Sequence, residues 1–198
     1  MKNPDILLAI KPVIQAFDRL AIPYYIGGSI ASSVYGLARA TMDVDIIADI
    51  APSHVASLVG LLRDAYYIDE QMIKDAISGA SSFNLIHLET MMKVDVFIQK
   101  KDPYHRCAIA RRLQDRLVEE DQDSVFYLSS PEDIILSKLC WYEMGDRVSE
   151  RQWLDVLGVI KVQSDSLDRA YLIKWSNALG VSDLLRQAFS ESGVPLER

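Results

Sequence analysis

Three short stretches carry residue types that could do chemistry: Gly27-Gly28-Ser29, Asp43-Val44-Asp45 and Lys93-Val94-Asp95. Two aspartates at i and i+2 of a strand point to the same face, so Asp43 and Asp45 could share divalent cations. Such a pair in an apolar strand is costly unless metal, protons or hydrogen bonds compensate it. Asp95 stands in a second apolar run, Val94-Asp95-Val96-Phe97-Ile98, where a lone carboxylate is equally out of place. Three acids brought together by adjacent strands make an all-oxygen set suited to Mg²⁺ or Mn²⁺. Gly27 and Gly28 allow a backbone to approach a ligand closely, and a helix beginning near Ser29 would offer its unpaired N–H groups to an anion. Metal carboxylates together with a phosphate-binding turn define a nucleoside triphosphate site. With two metals, one activates an attacking oxygen and the other stabilises leaving pyrophosphate. Each piece alone has a duller reading, a turn for the glycines and a solvated strand for Asp-x-Asp. Their order, on apolar strands with the turn one helix upstream, favours the site.

Those residues need elements to position them. Ile6, Leu7, Ile10, Val13, Ile14, Phe17 and Leu20 form one apolar face and predict a helix over 4–20. Pro23 ends it, Tyr24-Tyr25-Ile26 extends, and Gly27-Gly28 breaks the strand ahead of a second helix over 29–37. Residues 44–48 read as a buried strand, Pro52-Ser53 as a helix start capped by Ser53, and 70–78 as a short helix. Residues 83–88 and 93–98 read as an antiparallel hairpin turning around Glu89-Thr90. Residues 104–117 fit a helix or the lead into a strand near 112–118, and Asp121-Gln122-Asp123-Ser124 reads as a turn before a strand over 125–128. Ser130-Pro131-Glu132-Asp133 combines a cap, a first-turn proline and two acids, a strong helix start. From there the chain reads as three or four helices. The expected organisation is an α/β core over 1–105, a connecting segment over 106–130 with a β-hairpin as one form, and a helical domain over 131–198.

Composition narrows the function classes. The 198 residues are 49% hydrophobic and 25% charged, ordinary globular values, with a formal charge of −7. That balance disfavours a nucleic-acid coat or a polybasic membrane binder, while a locally basic groove stays open. Cys107 and Cys140 have no zinc-site or disulfide spacing, so both are expected as reduced thiols. Lys11 and Asp18 interrupt the apolar N-terminus, which fits neither a signal peptide nor a membrane span. The expected location is the cytoplasm.

Over about residues 20–160 the chain resembles the nucleotidyltransferase superfamily of polymerase-beta-like and minimal nucleotidyltransferases. The resemblance rests on Ile26-Gly27-Gly28-Ser29, on Arg39-Ala40-Thr41-Met42-Asp43-Val44-Asp45 and on Asp95. The Arg-x-Thr-x-Asp-x-Asp form is most similar to the bacterial branch containing AbiEii-type toxins. Residues 131–139, with Lys138, and the stretch from Arg147 to Asp155 resemble that branch's C-terminal helices. The resemblance implies an α+β fold, a mixed β-sheet with flanking helices followed by a helical region. It implies that Gly27, Gly28 and Ser29 hold the β- and γ-phosphates of an NTP. Asp43, Asp45 and Asp95 would bind Mg²⁺ or Mn²⁺, and Asp95 would also help deprotonate an acceptor hydroxyl. Lys138 would reach the triphosphate, with a solvated helix lysine as the alternative. Arg39 would neutralise phosphate or brace the Asp43 loop through a structural salt bridge. The acceptor stays open among RNA, protein and small molecules such as an antibiotic, and a toxin-type protein would act with an antitoxin partner.

Other candidates read as structural. His87 suits a cross-strand packing role, and His54 an exposed position after a helix cap. His105, Arg106, Arg111 and Arg112 form either a solvated basic face or an electrostatic track for an anionic acceptor. Trp141, Tyr142 and Trp153 suit helix packing, and Cys140 a small core position.

Overall fold

The computed structural model describes residues 4–39, 41, 43–116 and 125–197. The chain divides into two compact units, one of residues 1–27 and 40–128, the other of residues 28–39 and 129–198. The division is not collinear with the chain.

The first unit is a seven-stranded mixed sheet with helices. Its elements are α1 (Pro4–Arg19), β1 (Tyr24–Ile26), β2 (Asp43–Ala48), α3 (Val55–Leu62), β3 (Tyr66–Tyr67), α4 (Glu70–Gly79), β4 (Ser82–His87), β5 (Lys93–Ile98), α5 (Pro103–Ala110), β6 (Leu113–Arg116) and β7 (Val125–Leu128). The strand order is β3-β4-β5-β2-β1-β7-β6. β2 runs parallel to β5, and β1 parallel to β7; the remaining neighbours are antiparallel. The expected hairpin is present as β4–β5. The turn expected at 121–124 and the end of the strand expected near 112–118 lie outside the described residues.

β2 is not the fully buried strand that its apolar run suggested. Its residues alternate: Val44, Ile46 and Ala48 are buried, Asp43 is exposed, and Asp45 and Ile47 are half-buried. β4 and β5 repeat the same alternation. The physical reason is that helices gather on one side of these strands. α1 packs on β5, α4 on β4 and β5, and α3 against α1 and α4. Val94, Val96, Phe83 and Leu85 are buried there with Ile10, Val13, Phe17, Leu58, Leu62 and Ile73. Each such side chain contributes roughly 1.5–3 kcal/mol of transfer free energy. The carboxylates therefore lie on the face opposite the core.

Ser53 is not a cap. Pro52–His54 form one 3-10 turn ahead of α3, and the Ala51 N–H donates to His54 Nδ1 at 3.1 Å. His54 is half-buried by this contact rather than exposed. His87 has the structural role expected of it: it is buried, its Nδ1 meets Thr90 Oγ1 at 2.9 Å, and its ring lies 5.1 Å from that of Tyr66.

The second unit comprises α2 (Gly28–Tyr35), α6 (Pro131–Met144), α7 (Glu150–Gln163), α8 (Arg169–Leu179) and α9 (Ser182–Ser192). α2 packs on α6 and α7, and α7 on α6 and α9. The α2 end approaches α7 backbone to backbone: a Cβ on Gly36 would stand 2.9 Å from the Val159 N. Ser130 caps α6, its Oγ accepting from the Asp133 N–H at 3.1 Å. The two acids after Pro131 are buried. Asp133 accepts from the hydroxyls of Ser130 and Tyr171 at 2.7 and 2.8 Å, and Glu132 accepts from the Asp168 N–H at 2.9 Å. These bonds tie the start of α8 to the start of α6.

Candidate functional site

The carboxylate group is built by strand register. Parallel pairing sets Asp45 beside Asp95 and Asp43 beside Lys93. All four are on the face away from the helices, because their neighbours Val44, Val94 and Val96 fill the core. On the other side of β5, Asn84 of β4 stands beside Asp95. The Gly27 N–H donates to the Asp45 carbonyl at 2.9 Å, so the first glycine, directly after β1, is fastened to the strand carrying two of the acids.

Asp95 is half-buried, and its Oδ2 accepts from Lys93 Nζ at 2.8 Å. That hydrogen bond raises the Lys93 pKa above its ordinary value; partial desolvation opposes the rise, and the charges of Asp95, Asp43 and Asp45 add to it. Among the described residues, no three His, Cys, Asp or Glu side chains already converge as a ligand set for one ion. The donor chemistry still fits a hard divalent cation: three carboxylates share one sheet face, and a cationic group already rests on one of them. Asp43, Asp45 and Asp95 are the residues that could hold it.

The remaining sequence-predicted residues belong to the second unit. Gly28 opens α2 with φ +53°, a conformation that glycine adopts without steric cost. Ser29 follows in the first turn, and its hydroxyl accepts from Arg39 Nη2. Arg39 forms a two-pronged pair with Asp155, Nε to Oδ1 and Nη2 to Oδ2, both 2.9 Å. Lys138 Nζ reaches the same Asp155 Oδ2 at 2.7 Å, and the Lys138 and Asp155 side chains are each only 7% exposed. Lys138 is thus neither a solvated helix lysine nor free of protein contacts. Burial alone would raise the Asp155 pKa, but hydrogen bonds from Arg39 and Lys138, and then their charges, outweigh it and hold it below the ordinary 3.8. The structure gathers Ser29, Arg39 and Lys138 into one network around Asp155.

Two participants lacked an assigned role in the sequence. Lys93 is two residues before Asp95, a spacing that puts both on one strand face. Asp155 closes the stretch from Arg147, but its partners are distant along the chain and no local pattern announces them.

The other candidates have ordinary partners. His105 Nδ1 lies 2.7 Å from Asp102 Oδ2, and the Arg112 guanidinium is 4.6 Å from the Tyr127 ring centre. Tyr142 and Trp153 pack ring to ring at 5.1 Å, and the Trp153 indole donates to Glu191 at 2.7 Å. Cys140, expected in the core, is half-buried, and neither it nor Cys107 is in a disulfide. Among the described residues no helix is long and apolar enough to cross a membrane.

The mixed sheet and its helices form an α+β architecture of nucleotidyltransferase type. In particular, the chain is similar to an antigenic nucleotidyltransferase-like protein from Paracoccidioides brasiliensis, with 18% identity and a TM-score of 0.54, covering 89% of this chain and 93% of that one. At that identity the likeness is one of fold. The lincomycin-bound lincosamide antibiotic adenylyltransferase LnuA aligns at 16% identity and a TM-score of 0.46, covering 76% of this chain and 93% of its own. The antibiotic-resistance factor ANT(2'')-Ia aligns at 14% identity and a TM-score of 0.45, covering 95% of each chain. No family model matches the sequence, and no curated protein matches it.

Proposed function

We propose that this protein is a metal-dependent nucleotidyltransferase. It moves a nucleoside monophosphate from an NTP to an acceptor hydroxyl and releases pyrophosphate. The observation that carries this reading is the register of β2 on β5, which sets Asp43, Asp45 and Asp95 on one face of adjoining strands. Carboxylates collected on one sheet face suit charge-rich phosphoryl chemistry better than a structural role.

Bound Mg²⁺ or Mn²⁺ would neutralise charge that develops on the phosphoryl oxygens. The chain's own groups do the rest. Asp43 and Asp45 would hold the ion, and Asp95 would complete its ligand set and draw the proton from the acceptor hydroxyl. The backbone N–H groups at Gly28 and Ser29 bind the β- and γ-phosphates. Arg39 and Lys138 add positive charge toward them, oriented by Asp155. The acceptor oxygen forms a bond to the α-phosphorus as the bond to the bridging oxygen breaks, and pyrophosphate carries away the electron pair.

The test is incubation with α-labelled NTPs, Mg²⁺ and cell extract, followed by separation of RNA, protein and small molecules. Label is expected in one fraction with the wild type and at background with Asp43→Ala/Asp45→Ala. Equal labelling by the double variant would overturn the assignment. The fraction that takes the label identifies the acceptor class, including an antibiotic-like small molecule. The Arg39-x-Thr41-x-Asp43-x-Asp45 form and Lys138 favour the AbiEii-toxin-type branch within this reading, with an antitoxin partner. On that branch, expression harms the host and Asp45→Ala relieves the harm; harmless wild-type expression counts against it.

A further inference from the structure

Lys93 and Asp95 occupy alternate positions of β5, so their side chains leave the same face of the strand. The ammonium reaches along the strand and donates to Asp95 Oδ2 at 2.8 Å. The parallel register sets Lys93 beside Asp43, and the charges of Asp43, Asp45 and Asp95 all act on its ammonium. Asp95 is the more enclosed partner: its side chain is 21% exposed against 46% for Lys93. Lys93 can therefore swing into water without opening the core, while Asp95 stays anchored. An exposed pair of this kind is cheap to break, since ion pairs of this exposure contribute little net stability. Among the described residues no three carboxylates already surround one point. Asp95 is engaged with Lys93 instead.

We propose that Lys93 is an internal counter-cation for this carboxylate group, and that a divalent ion completes its ligand set only by taking Asp95 away from Lys93. The inference rests on the reading of Asp43, Asp45 and Asp95 as metal-binding. Two consequences follow from charge alone. With Lys93 in place, the metal-free face carries less mutual repulsion. Each arriving cation must compete with an ammonium held at hydrogen-bonding distance, so Lys93 weakens metal binding by the protein alone.

The test is calorimetric titration of the full chain with Mn²⁺, without nucleotide, on the wild type, Lys93→Met, Lys93→Gln, Lys93→Arg and Asp45→Asn. Both neutral variants are expected to bind Mn²⁺ at least about tenfold more tightly, the size of removing a monovalent cation from beside a divalent one even at the dielectric of water. Lys93→Arg retains the charge and is expected to bind like the wild type. When Mn²⁺ is added to protein stripped with EDTA, the neutral variants are expected to gain more in melting temperature than the wild type does. If the wild type binds Mn²⁺, Asp45→Asn does not, and the neutral variants bind no more tightly, the counter-cation role is overturned and the metal reading stands. If neither the wild type nor the neutral variants bind Mn²⁺, the metal reading falls and the role of Lys93 falls with it.

Discussion

At the residue scale, Asp155 is where two cations of the second unit meet. Arg39 and Lys138 both bond to it, and neither Lys138 nor Asp155 has more than slight contact with water. Removing one partner of a buried pair costs far more than the pair itself contributes, because the remaining charge stays desolvated. Asp155→Ala is therefore expected to destabilise by about 3–5 kcal/mol in urea unfolding. The pH dependence has a definite sign. The folded pKa of Asp155 is lowered, so its contribution is present above the unfolded carboxylate value and is lost as pH falls through the folded one. The stability gap between wild type and Asp155→Asn should be constant near neutrality and should narrow in acid, below the ordinary value of 3.8. A gap that widens in acid would contradict the pairing. At this scale the sequence carried much of the carboxylate group, since a two-residue repeat puts Asp43 and Asp45 on one face with no tertiary information. It did not carry Asp155, whose bond to Arg39 spans 116 positions. Nor did it carry the engagement of Asp95 by Lys93, because strand spacing gives a face and not a hydrogen bond.

At the element scale, local chemistry explains which elements were legible. Pro23, the Gly27-Gly28 break, the hairpin 83–98 and the Ser130 cap each have a short-range physical cause, and each has its counterpart in β1, α2, β4–β5 and α6. β3 was missed because two tyrosines are too short a run to show a period; pairing with β4 and a hydrogen bond from Tyr66 Oη to the Ala9 carbonyl define it. The burial of β2 was misread because the apolar side chain of Ile47 breaks the alternation, although its position faces away from the core. The packing of α2 was also hidden, because it depends on small residues far apart, Gly36 and Gly158. That contact supplies a test. Gly36→Ala puts a methyl within 2.9 Å of the Val159 N and of the Ser32 carbonyl oxygen, backbone atoms that cannot turn aside. It is expected to cost about 1–3 kcal/mol in denaturant unfolding. A neutral result would mean that α2 and α7 are not in this close contact in solution.

At the scale of the whole molecule, the chain leaves the first unit after Gly27, returns at Ala40 and leaves again after Leu128. No single cut separates the two units intact. A fragment ending at Leu128 keeps α2 but removes α6 and α7, against which it packs. Ile30, Ala31 and Ser32, buried in the full chain, would then face water. In hydrogen exchange, amides 31–35 are expected to be protected in the full chain and unprotected in the fragment 1–128, where α2, at eight residues, is too short to persist alone. Protection retained in the fragment would show that α2 draws its stability from elsewhere.

The same excursion of the chain sets a schedule for biosynthesis. α2 leaves the ribosome early, yet its packing partners end only at Met144 and Gln163. At about 5–20 residues per second, the nascent helix waits on the order of ten seconds for them. Throughout that interval Ile30 and Ala31, buried in the finished protein, lack the helices that cover them, and transiently exposed apolar surface of this kind invites aggregation. Slower translation between the codons for residues 40 and 163 lengthens the exposure without changing any contact in the finished protein.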